Sequence, residues 1–164
     1  MKAFLAAATV ALAFTSPIAA QSYDPDRRIE TFTRADLKAV LDKIEASYEE
    51  GGERRNIEIV FANTLKADAL LMACEDEDTE SECFGTSILA TFSPSEGTSD
   101  TAIMEAINEF NLRQHFGRAY IDPEGTISLR MYIISDGGIL MENYALQIGL
   151  FVSAAERFAG YLYD

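Results

Sequence analysis

The sequence predicts an α+β domain: an antiparallel sheet of about five strands with helices packed on it, in the order α-β-β-β-α-β-β-α. Three observations carry this. Apolar residues recur at helical spacing in three separate stretches, and the segments between them alternate with a period of two. Most connections are short and marked by Gly or Pro, and grouped strands with short connections favour antiparallel pairing. No internal repeat or linker interrupts residues 21–164, which read as one domain, in keeping with a chain of 164 residues.

Residues 1–20 stand apart from that domain. Met1-Lys2 supplies a positive start, Ala3 to Phe14 is an uncharged apolar run, and Thr15-Ser16-Pro17 breaks it before Ile18-Ala19-Ala20. This is the layout of a cleavable signal peptide, with cleavage expected after Ala20. The run is shorter than the roughly 20 apolar residues of a spanning helix, so no membrane insertion is expected after cleavage. No Cys follows the run to carry a lipid. The expected location is therefore periplasmic or secreted.

Gln21 to Glu30, with Pro25 and mixed charges, reads as a lead-in that is either loose or ordered on docking. The first helix is well marked at its start. Thr33 is a suitable N-cap, Asp36 completes a capping box, and Phe32 with Leu37 forms a hydrophobic staple. Leu37, Val40, Leu41, Ile44 and Tyr48 fall on one face, and Gly51-Gly52 is expected to end the helix. Three strands follow. Ile57, Ile59 and Phe61 alternate; Asp68 to Glu75 is apolar-rich; Phe84, Thr86, Ile88, Ala90 and Phe92 share one side. The second and third of these are expected to pair as a hairpin. Thr98-Ser99-Asp100 caps a second helix, whose stripe is Ile103, Ala106, Ile107 and Phe110. Gly117 to Ile121 and Thr126 to Ile134 read as two further strands around an Asp122-Pro123-Glu124-Gly125 turn. In the second, Ile127, Leu129, Met131 and Ile133 alternate with Ser128, Arg130 and Tyr132. Gly137-Gly138 then leads into a long last helix, about Met141 to Tyr161. Its stripe of Tyr144, Ile148, Phe151, Ala155, Phe158 and Leu162 is wide enough to cover a sheet and also to meet a partner, through Tyr144, Ile148, Phe151 and Phe158.

Thirteen Lys+Arg face 27 Asp+Glu, a formal net charge of −14, and loss of Lys2 makes the mature chain more acidic still. Such a charge opposes contact with nucleic acid or anionic lipid, because both carry phosphate. Cys74 and Cys83 are the two cysteines, and in an oxidising compartment their even count and close spacing predict a disulfide. Between them lie Glu75, Asp76, Glu77, Asp78, Glu80 and Glu82, a segment that repels itself and benefits from a covalent staple.

Catalytic equipment is sparse. His115 is the single histidine, at the end of the second helix, where a structural role is the ordinary one. No Gly-x-Ser-x-Gly elbow or phosphate-cradling glycine loop occurs. A Cys–His pair would suffer from the neighbouring carboxylates, which raise a thiol's pKa. One histidine and two cysteines do not supply a zinc site, and the acidic segment lacks the glycine of a calcium loop. No cofactor is expected.

The stretches Ile107-Asn108-Glu109-Phe110-Asn111, Phe116-Gly117-Arg118-Ala119-Tyr120 and Asp122-Pro123-Glu124-Gly125, followed by Gly137-Gly138 and a long helix with Phe151 and Phe158, resemble the YbjN family. Its members are described as bacterial sensory-transduction regulators. The matching motif positions are Asn108, Asn111, Gly117, Arg118, Tyr120, Gly125 and Gly138. The resemblance implies a fold like that of type III secretion chaperones, which often dimerise and hold extended protein segments. It brings no catalytic residues.

The function expected is thus a non-enzymatic, chaperone-like binding or regulatory module that engages a protein or peptide partner, with a homodimer as one form. Two alternatives belong to other classes: a small envelope hydrolase using carboxylates or His115, and an acidic cation-binding envelope protein.

Overall fold

The computed structural model describes residues 22–52 and 55–163; the signal segment, residues 1–20, and its cleavage point lie outside them. Among the described residues the chain forms a six-stranded sheet, a two-stranded ribbon and three helices. In chain order these are β1 (Arg28–Ile29), α1 (Arg34–Lys43), β2 (Ser47–Glu50), β3 (Ile57–Val60), β4 (Lys66–Asp76), β5 (Ser81–Phe92), α2 (Asp100–Arg113), β6 (Arg118–Ile121), β7 (Ile127–Ile134), β8 (Ile139–Leu140) and α3 (Met141–Tyr163). The sheet order is β2-β3-β4-β5-β7-β6, and every pairing is antiparallel. The α+β class is as expected, with one strand more in the main sheet.

The extra strand corrects the reading of the first helix. Its capping box is present: Thr33 Oγ1 accepts from the Asp36 amide at 3.1 Å and Asp36 Oδ2 from the Thr33 amide at 3.1 Å. The helix does not run on to Gly51-Gly52. It stops at Lys43, where Glu45 enters the left-handed region (φ 58°) and the Glu45 and Ala46 amides donate to Asp42 O and Leu41 O. This is a Schellman closure with a glutamate at the position glycine usually holds. Tyr48 therefore belongs to β2, opposite Ile59, and β2 covers an edge of β3 that would otherwise be bare.

The lead-in is ordered by docking, through β1. It pairs with β8, Ile29 opposite Ile139, and the Met141 amide donates to Arg27 O, so the N-terminal segment is fastened beside the start of α3. Asp36, almost fully buried, accepts from the Arg27 guanidinium and fixes α1 to the same segment.

One face of the sheet carries the core. Ile57, Ile59, Ala69, Leu71, Ile88, Leu129 and Ile133 point into it and are buried. α3 lies over this face, and the α2 stripe of Ile103, Ala106, Ile107 and Phe110 closes against it. Phe158 packs edge-on to Phe110 (5.2 Å) and Phe92 (4.9 Å), joining α2, α3 and β5. At the other end of α3, Tyr144 stacks on Phe32 at 4.4 Å, and its hydroxyl shares a buried 2.8 Å hydrogen bond with Thr86. Burial pushes the Tyr144 phenol far above its ordinary pKa, so it stays neutral.

Tyr144, Ile148, Phe151 and Phe158, expected to meet a partner, are all fully buried in the single chain. A 23-residue helix laid across a sheet uses its whole apolar stripe for the core. The large apolar side chains that α3 leaves outside are Leu146, 58% exposed, Leu150, 37% exposed, and the terminal Tyr163, 47% exposed.

Candidate functional site

The helices occupy one face of the sheet, and no described element covers the other. An antiparallel sheet with one solvated face usually alternates to polar residues there. Here Val60, Leu70, Tyr132 and Ile134 are exposed, with Met72 and Leu89 half-buried between them. Two contiguous open depressions of about 510 and 490 Å³ cross this face and share Asp68 and Leu89.

The register sorts the charges on it. One line of outward-facing residues runs across the strands in the order Glu49, Glu58, Asp68, Leu89, Arg130, Arg118. With strands about 4.8 Å apart, the line is roughly 24 Å long. Its β2–β4 end is acidic, outnumbering the nearby Lys66, and its β7–β6 end is basic. Leu89 separates the two ends, with Leu70 and Met72 alongside.

The basic end is built from the motif region. Arg118 and Arg130 are direct cross-strand partners. The Arg118 guanidinium lies 5.4 Å from the Tyr120 ring, and that of Arg130 lies 5.7 Å from Tyr120 and 6.0 Å from Tyr132. Arg130 Nη1 donates to the Tyr132 hydroxyl at 3.2 Å, which raises the Arg130 pKa against the opposing effect of burial. Arg130 Nε is buried and has no hydrogen-bond partner among the described residues. Neither arginine pairs with a described carboxylate, whereas Arg27, Arg28, Arg34, Arg55 and Arg113 each do.

Among the other motif positions, Asn111, Gly117, Gly125 and Gly138 have structural roles. The Asn111 side chain bonds both backbone groups of Ala119 on β6. Asn108 is exposed on α2. Gly117 (φ 80°) immediately precedes β6, where a Cβ would meet Leu129 at 3.1 Å, and Gly125 (φ 86°) closes the β6–β7 turn. At Gly138 (φ 81°) a Cβ would run into the Arg28 guanidinium, 2.5 Å away.

Cys74 and Cys83, opposed in the β4–β5 ladder, form the disulfide, so neither offers a nucleophilic thiol to His115. His115 is exposed after α2. The acidic segment is folded down rather than splayed. Arg34 on α1 binds Glu80, Arg55 binds Glu77 at 3.5 Å, and Asp76 Oδ1 accepts from the Asp78 (2.9 Å) and Thr79 (3.2 Å) amides. The Thr79 amide in particular holds the Asp76 carboxyl below its usual range. Among the described residues no group of His, Cys, Asp and Glu converges in a way that would hold a metal ion.

The alternation of Arg130 and Tyr132 with the apolar residues of β7 already marks one outward-facing row. The pairing of Arg118 with Arg130 and the place of Leu70 and Leu89 between the charged ends depend on register, which no local pattern carries.

Residues 33–163 match the YbjN family, described as "Putative bacterial sensory transduction regulator". The fold is similar to that of E. coli YbjN, described as a "putative transcription regulator", with 11% identity, a TM-score of 0.57, and coverage of 77% of this chain and 85% of that one. A chain of the HopA1-SchA chaperone-effector complex is similar at 10% identity and a TM-score of 0.47, covering 77% of this chain and 92% of that one. No curated protein sequence matches. A match over residues 33–163, most of the chain, shows the family: the chain belongs to the YbjN family.

Proposed function

We propose that this chain is a non-enzymatic binding and regulatory module of the cell envelope, which holds a segment of a protein partner against the open face of its sheet. The observation that carries the reading is that Val60, Leu70, Leu89, Tyr132 and Ile134 all stand on a sheet face that no described element covers. Exposed apolar surface of this kind marks interaction sites. The regulator description of the family supports a binding role, and the order of charged start, apolar run and small residues in 1–20, with the disulfide, supports export.

Photo-crosslinking side chains placed at Leu70 and Tyr132, with Glu105 on α2 as control, test this in cells of the native host. Adducts to a defined protein from the two sheet positions, and none from Glu105, are expected. Sheet positions that give no more than the control reject the reading. Fractionation tests the location, with the mature N-terminus expected at Gln21 in the periplasm or medium; a cytoplasmic protein starting at Met1 rejects export.

A second surface favours self-association. Leu146 and Leu150 lie one turn apart and exposed on α3. If two copies meet there, Leu146→Glu with Leu150→Glu converts a dimer to a monomer in sedimentation. A monomeric wild-type chain excludes the dimer.

A further inference from the structure

On the reading that the open sheet face holds a partner segment, we propose that Arg118 and Arg130 form a carboxylate receptor. It would grip an Asp or Glu side chain of a polypeptide whose basic residues lie over Glu49 and Glu58.

Two independent observations point to this ligand. First, like charges directly opposite each other on neighbouring strands destabilise a sheet. Arg118 and Arg130 are such a pair, in a chain where acids outnumber bases two to one, and no described carboxylate relieves them. Second, Arg130 Nε is desolvated without an acceptor, while Nη1 is spent on Tyr132. A buried donor without a partner costs stability. A bound carboxylate bridging the two guanidiniums relieves the like-charge pair, because arginine's fixed fork matches the two carboxylate oxygens, and a shift of the Arg130 side chain that uncovers Nε on binding gives that buried donor its acceptor. Tyr120 and Tyr132 hold the two forks against their rings and so limit the order lost on binding.

The opposite pole selects the kind of molecule that brings the carboxylate. Glu49, Glu58 and Asp68, at the far end of the same line, repel a nucleic acid or a free polyanion. A polypeptide with basic residues at one end, apolar residues in the middle and an acidic residue at the other meets both poles and covers Leu70 and Leu89 between them. A strand-like segment spans about 24 Å in roughly seven residues, at ~3.3 Å each.

The probe is a capped synthetic peptide with a Lys-Lys start, alternating Val and Thr, and a Glu-Glu end, compared with its Gln-Gln twin. Each is titrated into the full mature protein by calorimetry, with methyl NMR signals of Leu70 and Leu89 reporting where it sits. The Glu-Glu peptide is expected to bind about tenfold or more tightly than the Gln-Gln twin, matching the loss of a charge-assisted hydrogen bond. Arg118→Gln is expected to abolish that difference while raising the unfolding midpoint of the unliganded protein, since it removes the like-charge pair. Arg118 lies exposed on a short outer strand, so this variant keeps the fold; Arg130→Gln provides the second measurement.

Equal affinity for the two peptides, with Leu70 and Leu89 shifting, overturns the carboxylate receptor and leaves the sheet-face reading standing. Absence of any shift at Leu70 and Leu89 overturns both. A lowered midpoint in Arg118→Gln, or displacement of the peptide by inorganic phosphate, overturns the receptor by showing a structural pair or a general anion site.

Discussion

Asn111 on α2 acts as a one-residue neighbour strand for Ala119 on β6. Its Nδ2 donates to the Ala119 carbonyl at 2.9 Å, and its Oδ1 accepts from the Ala119 amide at 3.0 Å. The outer edge of β6 is thereby closed, where a bare edge invites pairing with another chain. Asn111→Ala is expected to destabilise the protein by about 1–3 kcal/mol in urea, since both groups of Ala119 lose their partner. Light scattering is expected to show concentration-dependent assembly in the variant. Unchanged stability would show that water replaces the side chain without cost.

The Tyr144 hydroxyl and Thr86 share one buried bond between α3 and β5. Tyr144→Phe leaves Thr86 alone in the core and is expected to cost about 1–3 kcal/mol. Adding Thr86→Val removes the orphaned group, so the double variant is expected to be more stable than the two losses added together. A double-mutant cycle in urea reads the coupling. Strict additivity would mean that the bond is not formed.

Cys74 and Cys83 close a loop nine positions apart in sequence. Replacing both with Ser is expected to lower stability by about 2.5–3 kcal/mol through the greater freedom of the unfolded chain. Wild-type protein kept in reductant through denaturation is expected to show the same loss. An unchanged midpoint would mean that the Arg34–Glu80 contact alone fixes the hairpin.

Glu50 faces α1, and the Lys38 ammonium bonded to it, with Arg34 beside it, holds its carboxyl below the usual carboxylate range. A depressed carboxyl stabilises the fold above the unfolded-chain pKa, about 4.3 for Glu. That contribution disappears as pH falls through the lower folded value. Glu50 is half exposed, so the size is that of a surface pair, about 0.2–1 kcal/mol. Glu50→Gln is expected to flatten thermal stability between pH 5 and 3 by this amount. A slope equal to wild type would assign the acid sensitivity to other carboxylates.

The first helix shows where legibility ends. Its start was readable because Thr33 and Asp36 are neighbours in sequence and need nothing else to form a capping box. Its end was not. Glu45 takes the left-handed closing position without being glycine, and Tyr48 falls by coincidence at helical spacing from Ile44. Pairing with Ile59 decided the matter, because β2 satisfies backbone groups on β3 that a longer helix would leave open. The stripe on α3 is visible in the sequence, yet the same pattern serves a core or an interface, and only the sheet beneath Tyr144, Ile148, Phe151 and Phe158 assigns it to the core.

Local chemistry encodes the helix starts, the turn at Gly125, the alternation in the strands, the cysteine pair, the acidic charge and the family motif, because each depends only on neighbours along the chain. The tertiary structure decided which residues become neighbours across strands, because register joins positions far apart in the chain. It alone set Arg118 opposite Arg130, placed Leu89 between two charged poles, and left that face of the sheet uncovered by any described element.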